Sequence, residues 1–298
     1  MKKLCIGLLL ASYFIIPFVA LAQDTYLHLD VPYVPTPESV VEAMLDIAKV
    51  NKNDILYDLG CGDGRIVITA AKNKGARGVG IDINPKRIQE SITNAETAKV
   101  TDRVMFVEQD LFTANFSEAT VVTLYLLPDV NLRLRPRLLR ELKPGTRIVS
   151  HDFSMGEWES DQIREIPDNY HSHTVYYWII PANITGRWEW NLVLKKENIN
   201  YSMEVNQQFQ HINGTVSVGS LKIPIEDITL EGGRLQFVLE QNVKGDMVVM
   251  DFDGQVNGNS LSGSVKSEYS STTDNQQWEA TRDPSTITPL DIENTETY

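Results

Sequence analysis

The spacing of apolar positions changes character along the chain. Between residues 38 and 182, helix-period and strand-like runs alternate; between 183 and 283 nearly every run is strand-like. In the first region Val40, Val41, Met44, Leu45, Ile47 and Ala48 give Glu38–Ala48 one apolar helical face. Strands are predicted at 55–59, 78–82, 104–108, 120–126 and 147–151. Helices are predicted at 65–73, from Asn84-Pro85 to about Ala98, and at Pro136–Leu142, where Lys143-Pro144-Gly145 ends the run. A closing hairpin is expected near 163–166 and 174–180. Repeated β-α units predict an α/β fold, a doubly wound Rossmann-like domain over 38–182 that binds its ligand at the carboxyl ends of the strands.

The second region predicts about eight short antiparallel strands: 187–194, 201–210, 215–218, 225–230, 234–241, 247–256, 260–266 and 277–282. Turn signals separate them at Asn213-Gly214, Gly232-Gly233, Lys244-Gly245 and Asn257-Gly258. The expectation over 183–283 is a small antiparallel all-β barrel or sandwich domain. Gly186-x-Trp188 in its first strand and Arg282 in its last resemble the lipocalin-like pairing of a tryptophan with a stacked arginine.

The ends of the chain differ from both regions. Lys2 and Lys3 precede an apolar run, Leu4–Val19, and Ala20-Leu21-Ala22 has the small-x-small form of a cleavage site before Gln23. Residues 1–22 are therefore expected to be a cleaved signal peptide, the alternative being an N-terminal membrane anchor. Either places the bulk of the chain outside the cytoplasm, in the periplasm or cell envelope. Residues 23–37 form a proline-rich lead-in, and 284–298 are expected to be a disordered acidic tail. The formal net charge of −13 argues against a nucleic-acid partner. Of two cysteines, one lies in the signal segment and the other is Cys61, so the mature chain has no internal disulfide.

Residues 54–65 read Asp-Ile-Leu-Tyr-Asp-Leu-Gly-Cys-Gly-Asp-Gly-Arg. A strand that enters a glycine-rich turn and then a helix brings backbone close to a ligand and is expected to present free helix N–H groups to it. Asp82 follows at the end of the second strand, where an acid can accept from both hydroxyls of a ribose.

This Asp-x-Gly-x-Gly-x-Gly spacing resembles motif I of the class I S-adenosylmethionine (SAM) methyltransferases, and the likeness extends over about 35–155. The resemblance implies SAM as cofactor. It implies that Gly60, Cys61, Gly62 and Gly64 pass under the methionine part and the adenosine, that Asp58 orients the loop, and that Asp82 holds the ribose. Asp110 then occupies the place of the acid that binds the adenine amino group, the alternative being a helix cap. Pro-Thr-Pro at 35–37, the glycine loop and a strand-four run ending near Pro128 together resemble the membrane-associated protein-lysine methyltransferases of mitochondria, which act on a component of ATP synthase and on the adenine nucleotide translocase. That likeness makes Tyr33 and Thr36 candidates for closing the SAM pocket, with a plain helix N-cap as the alternative for Thr36. The likeness does not cover the strand-rich domain, and Tyr125–Asn131 lacks an Asn-Pro-Pro-Tyr box.

Methyl transfer from a sulfonium needs alignment of nucleophile and methyl, and an amine must also lose a proton. Tyr125, Asp129 and Asn131 at the fourth-strand exit, with His151 and Asp152 at the fifth, are the catalytic candidates. The expected acceptor is a protein lysine, a lipid or a small envelope molecule. The alternative function is a non-catalytic SAM- or nucleoside-binding envelope protein whose β domain takes a ligand or partner. Arg133, Arg135, Arg137, Arg140, Lys143 and Arg147 are read either as a dock for phospholipid head groups or as a solvated face with local ion pairs. His171 and His173 lack a clear third ligand, so no metal site is expected.

Overall fold

The computed structural model describes residues 32–167, 172–269 and 272–291. The signal segment, the lead-in as far as Val31, His171 and the last residues of the tail lie outside the described residues. Among the described residues no helix is long and apolar enough to cross a membrane.

The first region forms a seven-stranded sheet. Its strands are β1 (Ile55–Leu59), β2 (Arg77–Asp82), β3 (Val104–Glu108), β4 (Val121–Leu124), β5 (Arg147–His151), β6 (Gln162–Pro167) and β7 (Ser172–Ile179), in the order β3-β2-β1-β4-β5-β7-β6. β1 to β5 are parallel, and β7 and β6 return antiparallel as the expected hairpin. The order reverses between β1 and β4, so a crevice opens at their carboxyl ends. β4 is buried along its whole length, as a central strand covered on both faces must be. One face packs against α1 (Glu38–Ile47) and α2 (Arg65–Thr69, continued as a π-helical turn to Lys74); the other packs against α4 (Pro128–Glu141). Helix α3 (Pro85–Ala98) starts where expected, with Asn84 Oδ1 accepting from Lys86 N and Pro85 in the first turn.

Helix α4 corrects one expectation. Pro136 does not open the helix but lies inside it, and Pro128 occupies its start. Only the burial of Val130, Leu134 and Leu138 on one face distinguishes the true first turn.

The second region forms nine antiparallel strands, β8 (Gly186–Leu194), β9 (Glu197–Gln208), β10 (His211–Val218), β11 (Leu221–Pro224), β12 (Glu226–Glu231), β13 (Arg234–Val243), β14 (Asp246–Asn257), β15 (Ser260–Glu268) and β16 (Thr273–Arg282). They make one curled sheet rather than two facing ones. Its first and last strands in sequence pair through Trp188–Trp190 and Ala280–Arg282, and its edges, β11 and β12, are joined by Ile225. Alternate side chains point inward, and Trp190, Tyr201, Phe237, Phe252 and Trp278 fill the interior, with Phe237 and Phe252 stacked at 4.4 Å. Arg282 lies 4.9 Å over the buried Trp188 ring, the pairing anticipated from sequence. Asn213-Gly214 is not a turn but sits within β10, where a Cβ at Gly214 would stand 2.7 Å from Ile225 Cδ1. The glycine there serves close approach.

The segment after β16 is ordered against the first region as far as Asp291, contrary to the disordered tail expected from residue 284. Leu290 is buried, and Arg135 binds Asp291 through Nε at 2.7 Å and Nη2 at 3.0 Å. The same guanidinium donates to Met155 O and lies 5.1 Å over Phe209. Arg137 is engaged by Glu141, Leu111 O and Ala114 O, Arg147 by Asp54 and Ala48 O, and Arg133 lies over Phe112. Arg135, Arg137 and Arg147 of the basic stretch therefore hold the fold together, while Arg140 pairs with Glu141 at the surface.

Candidate active site

At the end of β1 the chain turns through Gly60, Gly62 and Gly64, all with left-handed φ of +84°, +53° and +78°. Only glycine adopts that sequence of angles without strain. Several of the N–H groups expected to be free there are engaged. Gly60 and Cys61 donate to Ile81 O, Gly64 donates to Cys61 O, and Gly62 N donates to Asp82 Oδ2 at 2.9 Å. The first helical amide, Arg65 N, donates to Asp63 Oδ1. Much of the loop's donor set is therefore spent on the fold itself rather than left for a phosphate.

The surroundings are acidic instead. Asp82 Oδ1 also accepts from Asn84 N at 2.8 Å, so this carboxylate fixes the loop to the second strand's exit. Asp58 is buried below, with Thr123 Oγ1 donating to it at 2.8 Å. Burial raises its pKa to about 7, with Asp82 and Asp63 adding to the shift. A ligand carrying positive charge and a diol fits this cradle: the cation favours ionised Asp58, and the diol can donate to Asp82. SAM, with its sulfonium, ammonium and ribose, has those groups.

The other predicted cofactor residues are placed unevenly. Tyr33 lies on the loop, so near that a Cβ at Gly62 would be 2.6 Å from its ring, and Arg87 stands 4.3 Å over its centroid. Cys61 contributes backbone only; its thiol is buried beside Gly80, and burial pushes its pKa up. Thr36 is not the N-cap of α1, a place that Pro37 takes. It is buried, with Oγ1 3.3 Å from His151 Nδ1 and its carbonyl accepting from Arg65 Nη1. Asp110 is exposed and caps a turn, its Oδ1 accepting from Phe112 N at 2.8 Å. Two residues escape a reading of the sequence. Ser91 Oγ donates to Gly62 O from the buried face of α3, and Thr123 supports Asp58 from β4. A serine in the apolar register of Ile88 and Ala95 is the available signal for the first.

Beyond the loop, the exits of β4 and β5 bring Tyr125 and His151 together, with ring centroids 3.9 Å apart. Asp152 and His173 join them. His151 is fully buried, and burial lowers its pKa to about 4. Such a group is a poor base toward an ammonium, so its catalytic candidacy narrows to positioning Tyr125. Asp129 is exposed in the first turn of α4 and is not part of this cluster. Asn131 is fully buried, its Nδ2 directed at Ser150 Oγ and the carbonyls of Phe153 and Ser154, so it holds the loop after β5 and has no basic atom to offer.

A doubly wound sheet with an acid-flanked glycine loop at its switch point defines the class of SAM-dependent methyltransferases. The comparisons with known proteins agree. The ANTKMT methyltransferase domain matches residues 58–162. A protein-lysine N-methyltransferase of Saccharolobus islandicus is 52% identical over 151 residues, which are 50% of this chain and 94% of that protein. The adenine nucleotide translocase lysine N-methyltransferase of Mus musculus is 31% identical over 133 residues, 45% of this chain and 58% of that protein. A crystal structure of an RNA methyltransferase from Salinibacter ruber in complex with S-adenosyl-L-homocysteine is 56% identical over 51% of this chain and 96% of that one, with a TM-score of 0.48. The chain belongs to the class I SAM methyltransferases of the ANTKMT-like family, and it is an enzyme that uses SAM.

Proposed function

We propose that this enzyme transfers the methyl group of SAM to the side-chain amine of a protein lysine. The observation that carries the reading is the 52% identity across 94% of a protein-lysine N-methyltransferase. In this reading Gly60, Gly62 and Gly64 underlie the cofactor, Asp82 takes the ribose hydroxyls, Asp58 balances its positive charge, and Tyr33 covers the loop. Tyr125, held by its tilted contact with the His151 ring, forms the wall along which the amine meets the methyl. The ring face of a tyrosine can orient the amine, which attacks the methyl in line once its ammonium proton has passed to solvent. The sulfonium supplies the activated methyl and departs as a neutral thioether, so the chain's own residues need to orient the acceptor and let its proton leave.

The test is transfer of labelled methyl from SAM into cell-envelope extract, followed by hydrolysis and amino-acid analysis. Label in methylated lysine supports the reading. Label confined to lipid or to other amino acids overturns the lysine assignment while leaving methyl transfer intact. Export of the chain is part of the same proposal, supported by Lys2, Lys3, the apolar run and Ala20-Leu21-Ala22. A mature N-terminus at Gln23 would support cleavage, and an intact Met1 in the membrane fraction would support an anchor.

A further inference from the structure

We propose that His151, Asp152 and His173 form a binding site for a divalent first-row transition-metal ion such as zinc, on the acceptor side of the active site. Three atoms carry the inference. His151 Nε2 stands 3.0 Å from His173 Nδ1, and Asp152 Oδ2 stands 3.2 Å from each of them. They make a nearly equilateral triangle contributed by the end of β5, the next residue and the start of β7.

Protons alone leave this triangle partly unsatisfied. An imidazole nitrogen either donates or accepts, and an ionised carboxylate only accepts. If one histidine donates to both neighbours, the other histidine and Asp152 face each other with lone pairs. If both histidines donate to Asp152, their two N–H groups meet. At least one of the three close edges is then repulsive, whatever the tautomers. A cation at the centre turns all three edges into shared ligation.

The size of the triangle selects the kind of cation. With ligand bonds of about 2.1 Å, atoms 3.0–3.2 Å apart subtend about 90–100° at a central ion, close to the facial arrangement of two histidines and a carboxylate. A lysine ammonium would not fit there. Its hydrogen bonds of about 2.8 Å, directed tetrahedrally, call for acceptors about 4.6 Å apart.

The surroundings support the three ligands. Thr36 Oγ1 lies 3.3 Å from His151 Nδ1, where it can accept the proton that leaves Nε2 free to ligate. Thr174 N donates to Asp152 Oδ1 at 2.8 Å and so orients the carboxylate by its other oxygen. Such outer contacts are what a metal site requires of its neighbours. Asp152 is held at φ +59°, a left-handed angle that brings its side chain back over the strand end. The histidine side chains are nearly enclosed, at 0% and 6% exposure, whereas that of Asp152 retains 27%, which provides an entry path. Three protein ligands leave coordination positions for water or an acceptor atom.

The experiment uses the full mature chain, stripped with a chelator and then titrated with Co²⁺ and with Zn²⁺. The expected result is one ion per chain by elemental analysis, a d–d absorption band on cobalt binding, and displacement of cobalt by zinc. Asp152→Asn and His173→Gln should each weaken binding at least tenfold, with near-ultraviolet circular dichroism and SAM affinity showing that the variants are folded. His211→Gln, at an exposed histidine outside the cluster, should bind as the parent does. Absence of saturable binding by the folded parent chain, or equal binding by the triad variants, overturns the proposal. Because the readout is metal occupancy, it is independent of the lysine assignment. Label transfer to lysine by chelated protein would leave the proposed function standing even if the metal site failed.

Discussion

The two sheets enclose different kinds of side chain. The first sheet and its helices enclose Asp58, Asn131, Thr123, Ser150, His151 and His173 near the carboxyl ends of β1, β4 and β5. The curled antiparallel sheet encloses Trp188, Trp190, Phe237, Phe252 and Trp278 and turns its charges outward. Its one buried cation among the described residues, Arg282, donates to the carbonyls of Asn183, Thr185 and Gly258 and stacks on Trp188. Polar groups withdrawn from water carry a standing cost unless paired. The first sheet gathers such groups beneath the glycine loop and at the exits of β4 and β5. The second, with its interior filled by aromatic rings, acts as a packed body fixed to the enzyme. This weighs against reading the β domain as a ligand-binding barrel.

The largest expected effect would break the contrast from the aromatic side. Trp190→Ala removes a ring in contact with Tyr201, Phe237, Phe252 and Trp278 and should destabilise the chain by about 3–5 kcal/mol. Thermal unfolding checks this, and the SAM affinity of the folded fraction should stay unchanged. Loss of SAM binding in folded Trp190→Ala would mean that the two sheets share more than a boundary.

From the polar side, Asp82→Ala removes the acceptor for Gly62 N and Asn84 N as well as the proposed ribose partner. Charge-assisted bonds contribute about 1.5–3 kcal/mol each, so SAM affinity should fall about 100-fold or more by calorimetric titration. The fold should survive. A Kd within about threefold of the parent would remove Asp82 from the site.

Asp291→Ala tests the attachment between the regions. It strands Arg135, whose side chain is largely enclosed, and breaking such a pair costs about 3 kcal/mol or somewhat less at this partial exposure. Calorimetry should then resolve two unfolding transitions where the parent shows one.

The smallest effect concerns pH. The folded-state pKa of Asp58, about 7, lies above its ordinary carboxylate value, with Asp82, Asp63 and the Cys61 thiol around it and Thr123 its hydrogen-bond donor. The folded chain therefore holds this proton more tightly than the unfolded one, and its contribution to stability falls as pH rises from about 4 to 7. Asp58→Asn should accordingly gain stability relative to the parent over that interval, by about 1–3 kcal/mol at its upper end. Saturating SAM should flatten the difference. A gap between the two proteins that does not change with pH would show that Asp58 is ionised throughout.

Much of the molecule is legible in the sequence because its signals are local. The glycine loop is a run of angles that only glycine adopts, and Asn84-Pro85 is a helix start in two residues. The alternation of β8 and β14 fixes which side chains turn inward. The start of α4 is not legible, since two prolines compete for it and burial chooses between them. Strand β11 escapes a pattern search because Leu221–Pro224 is short and mostly exposed and exists only by pairing with β10.

By itself the sequence determined the class of fold and the glycine loop with Asp58 and Asp82 beside it, since these depend on neighbours within a few residues or on strand ends that topology must align. Tertiary structure alone decided which polar residues of the strand exits meet. Asp129 and Asn131 follow Tyr125 closely in the chain yet fall outside the contact, one exposed and one buried behind it. His173 lies far along the chain yet closes the triangle with His151, because β7 pairs antiparallel to β5 and sets His151 opposite Val175. Contact across a sheet is a matter of register, and register is set by the whole core rather than by the residues that meet there.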